Sequence, residues 1–163
     1  MANADEVVRA QLLELLVGEG AHLRIADALA DFPAEFMNVN PPNVPYTPWH
    51  LVEHIRFGQR DILDYIRNPD YVAHSWPRDY WPAPEARADE QTWRQSVEGF
   101  MADLGELRDM VADPKSDLYV PLPHAPTATL LRQMLLVGRH NSFHMGEFGV
   151  LRQVMGTWPP GHK

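Results

Sequence analysis

Apolar residues recur along this chain at alternating spacings of three and four, the period that places them on one face of an α-helix. The clearest run is Trp93, Val97, Phe100, Leu104, Leu107 and Val111. Another, Leu51, Ile55, Ile62 and Ile66, opens on Thr47 and Pro48. There a hydroxyl that can cap the first turn stands ahead of a proline at the first helical position, where the missing N–H would have no partner anyway. A later run, Leu130, Met134, Val137, Phe148, Leu151 and Met155, has Thr127 or Thr129 to cap it and Gly156, with Pro159 behind, to stop it. The earliest run, Val8, Leu12, Leu15 and Leu16, then His22, Ile25 and Leu29, is weakened in its middle by Gly18 and Gly20, and helix is still the expectation across it.

The prolines support this division. All 15 fall in four clusters, between residues 33 and 48, 69 and 84, 114 and 126, and at 159 and 160, leaving four proline-free stretches. A proline inside a helix costs ~3 kcal/mol, so those stretches are where long helices can form. The pattern predicts an all-α protein, a four-helix bundle with long Pro-rich and aromatic-rich connections, in one domain over residues 1–163. The connections 33–48 and 68–88 exceed the ~2 to 8 residues usual in bundles. The second carries Tyr71, Trp76, Tyr80 and Trp81, which predicts a loop that packs.

Composition narrows the function. The 163 residues include 22 acids against 14 Lys plus Arg, a net charge of −8, which argues against a nucleic-acid partner, since binding phosphates takes clustered cations. The absence of cysteine removes disulfides, thiolate ligands, a cysteine nucleophile and Fe–S clusters. Acids interrupt the apolar N-terminal run, unlike a signal peptide, and no stretch of ~18 apolar residues is present to span a membrane. A soluble, cytoplasmic protein is expected.

Of eight histidines, two groups stand out. His140 and His144 are four apart in the last helix, so their side chains lie one above the other. Both fall on the apolar stripe with Val137, Leu151 and Met155. His54 shares a face with Leu51, Ile55, Gly58 and Ile62, with His50 a turn earlier. Two readings stay open. Each ring can be a core imidazole whose N–H meets an acceptor, or the three can hold a metal through nitrogens at ~2.1 Å. The metal relieves the desolvation penalty of ~1 to 3 kcal/mol that each unpaired buried ring would carry. His50, Glu53 and His54 also spell H-x-x-E-H, the signature of a metalloprotease family, but that reading leaves His140 and His144 unexplained and needs a cleft for an extended peptide.

The segments TPWHLVEHIRFGQRDIL, WPRDYWP and LLRQMLLVGRHNSFHMGEFGVLRQVMGTWP resemble the DinB-like (DinB/YfiT) superfamily of bacterial four-helix-bundle proteins. The family's H-x-x-x-H-x-G-Q signature falls on residues 140 to 147 and departs from it at Glu147, where glutamine is usual. The resemblance implies a divalent metal held by His54, His140 and His144, and a homodimer. It does not imply one reaction: the family includes hydrolase-like proteins, thiol transferases and an isomerase that uses a thiol cofactor.

Three imidazoles around Zn, Ni, Fe or Mn leave an open position for a water, whose pKa the metal lowers, or for a thiol. With no cysteine in the chain, that thiol would be an external low-molecular-weight one. Glu147, Glu53 and His50 are the candidate catalytic helpers, as hydrogen-bond acceptors for ligand histidines, general bases or a proton carrier. Arg56, Arg60 and Arg139 are candidates to bind an anionic substrate, or are part of a wet helix face. The expected function is a metal-dependent hydrolase or thiol S-transferase acting on a small molecule; the alternative is a non-catalytic metal- or ligand-binding bundle that acts through partners. Proton competition for ordinary imidazoles predicts metal loss as pH falls through ~6.

Overall fold

The computed structural model describes residues 3–20 and 22–161; His162 lies outside them. Five helices follow in order: α1 (Ala4–Val17), a short α2 (Ile25–Leu29), α3 (Pro48–Arg67), α4 (Glu90–Ala112) and α5 (Leu130–Met155). Helix α3 packs against α4 and α5, and α1 packs against the same two, which makes the four long helices a bundle. The architecture is all-α; among the described residues the strands are the two of an antiparallel ribbon, β1 (Pro121–Leu122) and β2 (Ala125–Thr129).

The helix ends have local causes. Thr47 caps α3 by accepting from the N–H of His50 at 3.2 Å, and Pro48 fills the first position. Asp89 caps α4 through Thr92 N–H at 2.7 Å, and Thr129, rather than Thr127, caps α5 through Arg132 N–H at 3.1 Å. Gly156 ends α5 in the left-handed conformation at φ 65°.

The first proline-free stretch is not one helix. Gly18 adopts φ 78° and its N–H turns back to Glu14 and Leu15, closing α1; after it the chain resumes as α2. A glycine that can take positive φ competes with helix continuation, and here it prevails because Leu23 C=O packs 2.8 Å from where a Cβ at Gly18 would sit. The core holds the stripes read from the sequence: Leu12, Leu16, Leu51, Ile55, Phe100, Leu104, Leu107, Val111, Met134, Val137, Phe148 and Leu151 are all buried together. Full burial of each such side chain stabilises the fold by ~1.5 to 3 kcal/mol. Among the described residues, no helix is long and apolar enough to cross a membrane.

Candidate metal centre

Residues 54 and 58 of α3 face residues 144 and 140 of α5, so the two helices run antiparallel and present imidazoles to one another. The Nε2 atom of His54 lies 3.2 Å from Nε2 of His144 and 3.4 Å from Nε2 of His140. All three nitrogens fall within 4.8 Å of one another, an arrangement that could hold a metal ion. Two nitrogens bound at ~2.1 Å to a tetrahedral ion stand about 3.4 Å apart, so the spacing fits that donor set.

The far side of each ring decides which nitrogen carries the proton. His54 Nδ1 is 2.9 Å from the Tyr80 carbonyl and His144 Nδ1 is 2.7 Å from Oε2 of Glu147. Both partners only accept, so both rings hold their hydrogen on Nδ1 and turn a bare lone pair inward on Nε2. Two lone pairs 3.2 Å apart cannot share a hydrogen bond. They repel unless a cation lies between them. His140 Nδ1 has Asn141 Oδ1 at 3.5 Å, while Asn141 donates to Gln59 at 2.8 Å and Gln59 to the Phe100 carbonyl at 2.7 Å, tying the ligand-bearing face of α5 to α3 and α4.

Packing fixes the rings as well. The Trp81 indole lies flat on His54, centroids 4.0 Å apart and planes within 4°. Tyr46 contacts Trp81 at 5.0 Å and gives its hydroxyl to Glu147, so the loop before α3 and the loop before α4 close over the same carboxylate and imidazole. Helix α3 carries Gly58 where His140 lies against it.

Burial holds all three imidazoles neutral. It pushes His54 below its usual pKa despite the Tyr80 carbonyl, and pushes His140 down with His54 adding to the effect. His144 falls furthest, to about 3, through burial and then the neighbouring His140 and His54. Burial raises the Glu147 carboxyl. The Tyr46 hydroxyl and His144 N–H aimed at its two oxygens stabilise the ionised form against that trend.

The remaining sequence candidates lie elsewhere. His50 is buried at the start of α3, where its Nδ1 accepts from Thr47 N–H at 3.3 Å and its Nε2 donates to the Ala86 carbonyl at 3.0 Å. Glu53 faces α4: burial raises its pKa, but hydrogen bonds from Arg56, at 2.8 Å through two nitrogens, and from Ser96 outweigh burial and leave it below the usual value. Arg60 is paired with Asp103 at 2.7 Å. Arg139 stands beside His140 on an open groove of about 660 Å³ that also takes in His22 and Phe143.

Sequence reasoning missed Tyr46, Trp81, the Tyr80 carbonyl and the spacing role of Gly58. The loop residues carry no periodic signal, although the density of aromatics in 71–81 marked that loop as packed. No curated protein and no solved structure matches the chain. A family model does, over residues 19–148, which include all three converging histidines, and the chain therefore belongs to the DinB superfamily.

Proposed function

We propose that this protein is a metal-dependent enzyme acting on a small molecule, with His54, His140 and His144 as the ligands of one divalent ion. The observation that carries the reading is the approach of the Nε2 atoms of His54 and His144 to 3.2 Å, each ring backed at Nδ1 by an oxygen, the Tyr80 carbonyl and the Glu147 carboxylate. His54 is buried and the other two rings are half-buried, so the converging lone pairs are only partly open to water, and a cation between them relieves their repulsion. A divalent ion bound by three neutral imidazoles keeps its full charge and an open position, and lowers the pKa of a water or a low-molecular-weight thiol. Hydrolysis and thiol S-transfer are the reaction types this supports, with Zn, Ni, Fe or Mn as the ion. In either, Glu147 orients His144 and Trp81 keeps His54 from rotating. The groove beside His140, with Arg139 and Phe143, offers a seat for a small substrate with an anionic and an apolar part. A second copy of the chain fits the exposed Val150 and Val154 on the outer side of α5, beyond that groove.

Metal analysis of untagged protein tests the ligand set. About one equivalent per chain is expected in the wild type and none in His144→Ala; metal retained by that variant would overturn it. A screen of ester, amide and thiol-transfer substrates on metal-loaded protein tests the enzyme reading.

One observation favours a second reading, a non-catalytic metal-binding bundle acting through partners. The candidate acid–base groups are all engaged: His50 by backbone, Glu53 by Arg56, and Glu147 by Tyr46 and His144. Metal-dependent turnover of any screened substrate excludes it.

A further inference from the structure

Asp61 lies seven residues beyond His54 on α3, two helical turns and about 10 Å along the same face. Its carboxylate is nearly buried, at 9% exposure, and among the described residues it forms no ion pair with an arginine or lysine. It takes two phenols: the Tyr71 hydroxyl at 2.8 Å on Oδ1 and the Tyr80 hydroxyl at 2.6 Å on Oδ2. The second contact matters for the metal centre, because the main-chain carbonyl of that same Tyr80 accepts the Nδ1 hydrogen of His54 at 2.9 Å. The next residue, Trp81, covers the His54 ring.

These contacts close a ring. One rigid helix carries both the imidazole and the carboxylate; the carboxylate holds the Tyr80 side chain, and the Tyr80 backbone returns to the imidazole. We infer that Asp61 is a positioning residue for the metal centre, anchoring through the Tyr80 hydroxyl the carbonyl and the indole that orient His54. This inference rests on His54 being a metal ligand. Burial and the adjoining carboxylate both raise the phenol pKa, to about 12 for Tyr71 and higher for Tyr80, so each hydroxyl remains a donor at neutral pH. Phe57 packs edge-on against Tyr80 and against His74, whose ring is 3.8 Å from Asp61 and 44% exposed, so the anchor sits under a partly open aromatic cover.

The two tyrosines share one carboxylate and interact with each other through their hydroxyls, but only Tyr80 touches His54. That difference separates a positioning role from a contribution to the fold. Changing a residue that orients a ligand histidine costs 10- to 100-fold in metal affinity, and an anchor one step further out should fall near the lower end. Zinc affinity of the full-length protein, measured by competition with a chromophoric chelator, is expected to drop about tenfold in Tyr80→Phe and Asp61→Ala. In Tyr71→Phe it should stay within about twofold, whatever that variant loses in thermal stability. The nitrogen-15 shifts of His54 in metal-free protein give a second readout: hydrogen on Nδ1 in the wild type and Tyr71→Phe, and a mixture of tautomers in Tyr80→Phe and Asp61→Ala. Wild-type zinc affinity and an unchanged His54 tautomer in Tyr80→Phe would overturn the inference, as would equal zinc losses in Tyr71→Phe and Tyr80→Phe. A wild type that binds none of zinc, nickel, iron and manganese while the tautomers shift as expected would instead remove the metal-centre reading and leave the orientation of His54 by Asp61 through Tyr80 standing.

Discussion

A Cβ built on Gly58 would sit 3.0 Å from Cε1 of His140 and 3.4 Å from its Nε2. The glycine of α3 therefore leaves the space that the imidazole of α5 occupies, and the approach of these two residues brings the third histidine into the cluster. Gly58→Ala should push the ring by a few tenths of an ångström, close to the ~0.5 Å tolerance of a preorganised site. We expect metal affinity to fall about tenfold. The helix-propensity gain of ~1 kcal/mol for alanine opposes the crowding, so the unfolding free energy of the metal-free protein should change by less than about 1 kcal/mol. Chelator competition together with urea unfolding checks both halves. Unaltered affinity would show that the ring has room to give.

Acid should destabilise the metal-free protein in a defined window. Burial lowers the pKa of His50, His54, His140 and His144, the last to about 3. An unfolded histidine takes its proton near pH 6.5, while the folded one refuses it until lower pH, so between these limits the unfolded chain binds more protons. Stability supplied by the neutral rings is thus complete above about pH 6.5 and is lost as pH falls from there toward the folded values. Urea midpoints of metal-free protein should decline steadily below about pH 6.5, and His144→Gln should flatten the slope. The same burial moves metal release below the ~6 expected for ordinary imidazoles, since protons compete less well for these rings. Dialysis against zinc over a pH series measures this; half-release already at about pH 6.5 would contradict the burial argument.

Glu147 accepts from His144 Nδ1 and from the Tyr46 hydroxyl. A glutamine there can still accept from the imidazole through its carbonyl, losing charge but not orientation. Glu147→Gln should therefore hold metal within about threefold of wild type, whereas Glu147→Ala, which abandons the imidazole, should cost 10- to 100-fold. If the glutamine variant lost as much as the alanine variant, the charge rather than the hydrogen bond would be what the site uses. Should a metal-dependent reaction be found, the glutamine variant also separates roles, because a general base cannot be replaced by an amide while an orienting acceptor can.

The histidine cluster was legible because helical periodicity fixes direction: residues 140 and 144 on an apolar stripe must face inward, and residue 54 shares its face with Leu51 and Ile55. What surrounds the cluster was not legible. The carbonyl of Tyr80 belongs to a loop whose path no period constrains, and backbone oxygens leave no trace in the amino-acid code. Gly58 was visible on the His54 face, but its role as a space for His140 follows only from how closely α3 and α5 approach. His50 and Glu53 looked like helpers because they sit within a turn of His54. One turn is also enough to aim His50 at its own helix start and Glu53 at Arg56 of its own helix and Ser96 of α4. Gly18 shows the converse limit: a glycine tolerated inside a helix and a glycine that ends one read alike, and the tertiary contact at Leu23 decides.

Arg152 illustrates a buried charge that the stripe of α5 conceals. Its side chain is fully buried. The guanidinium donates to the carbonyls of Ala28 at 2.8 Å, Ala30 at 2.7 Å and Thr157 at 2.7 Å, with Asp31 at 3.4 Å, and lies over the Trp158 ring at 4.2 Å. It thereby joins the end of α2, the chain that follows it and the C-terminal turn to α5. Replacing a buried ion pair with apolar residues is often neutral, because both charges leave together. Here the partners are main-chain carbonyls, which no substitution at residue 152 can remove. Arg152→Met would keep the bulk but strand them, and each stranded acceptor costs ~1 to 3 kcal/mol. A loss of at least about 3 kcal/mol in unfolding free energy is expected, and Arg152→Lys should recover only part of it, since an ammonium lacks the planar fork that reaches several carbonyls at once. Urea unfolding of the three proteins decides the matter. An Arg152→Met variant within about 1 kcal/mol of wild type would mean that water or a shifted chain satisfies those carbonyls without the arginine.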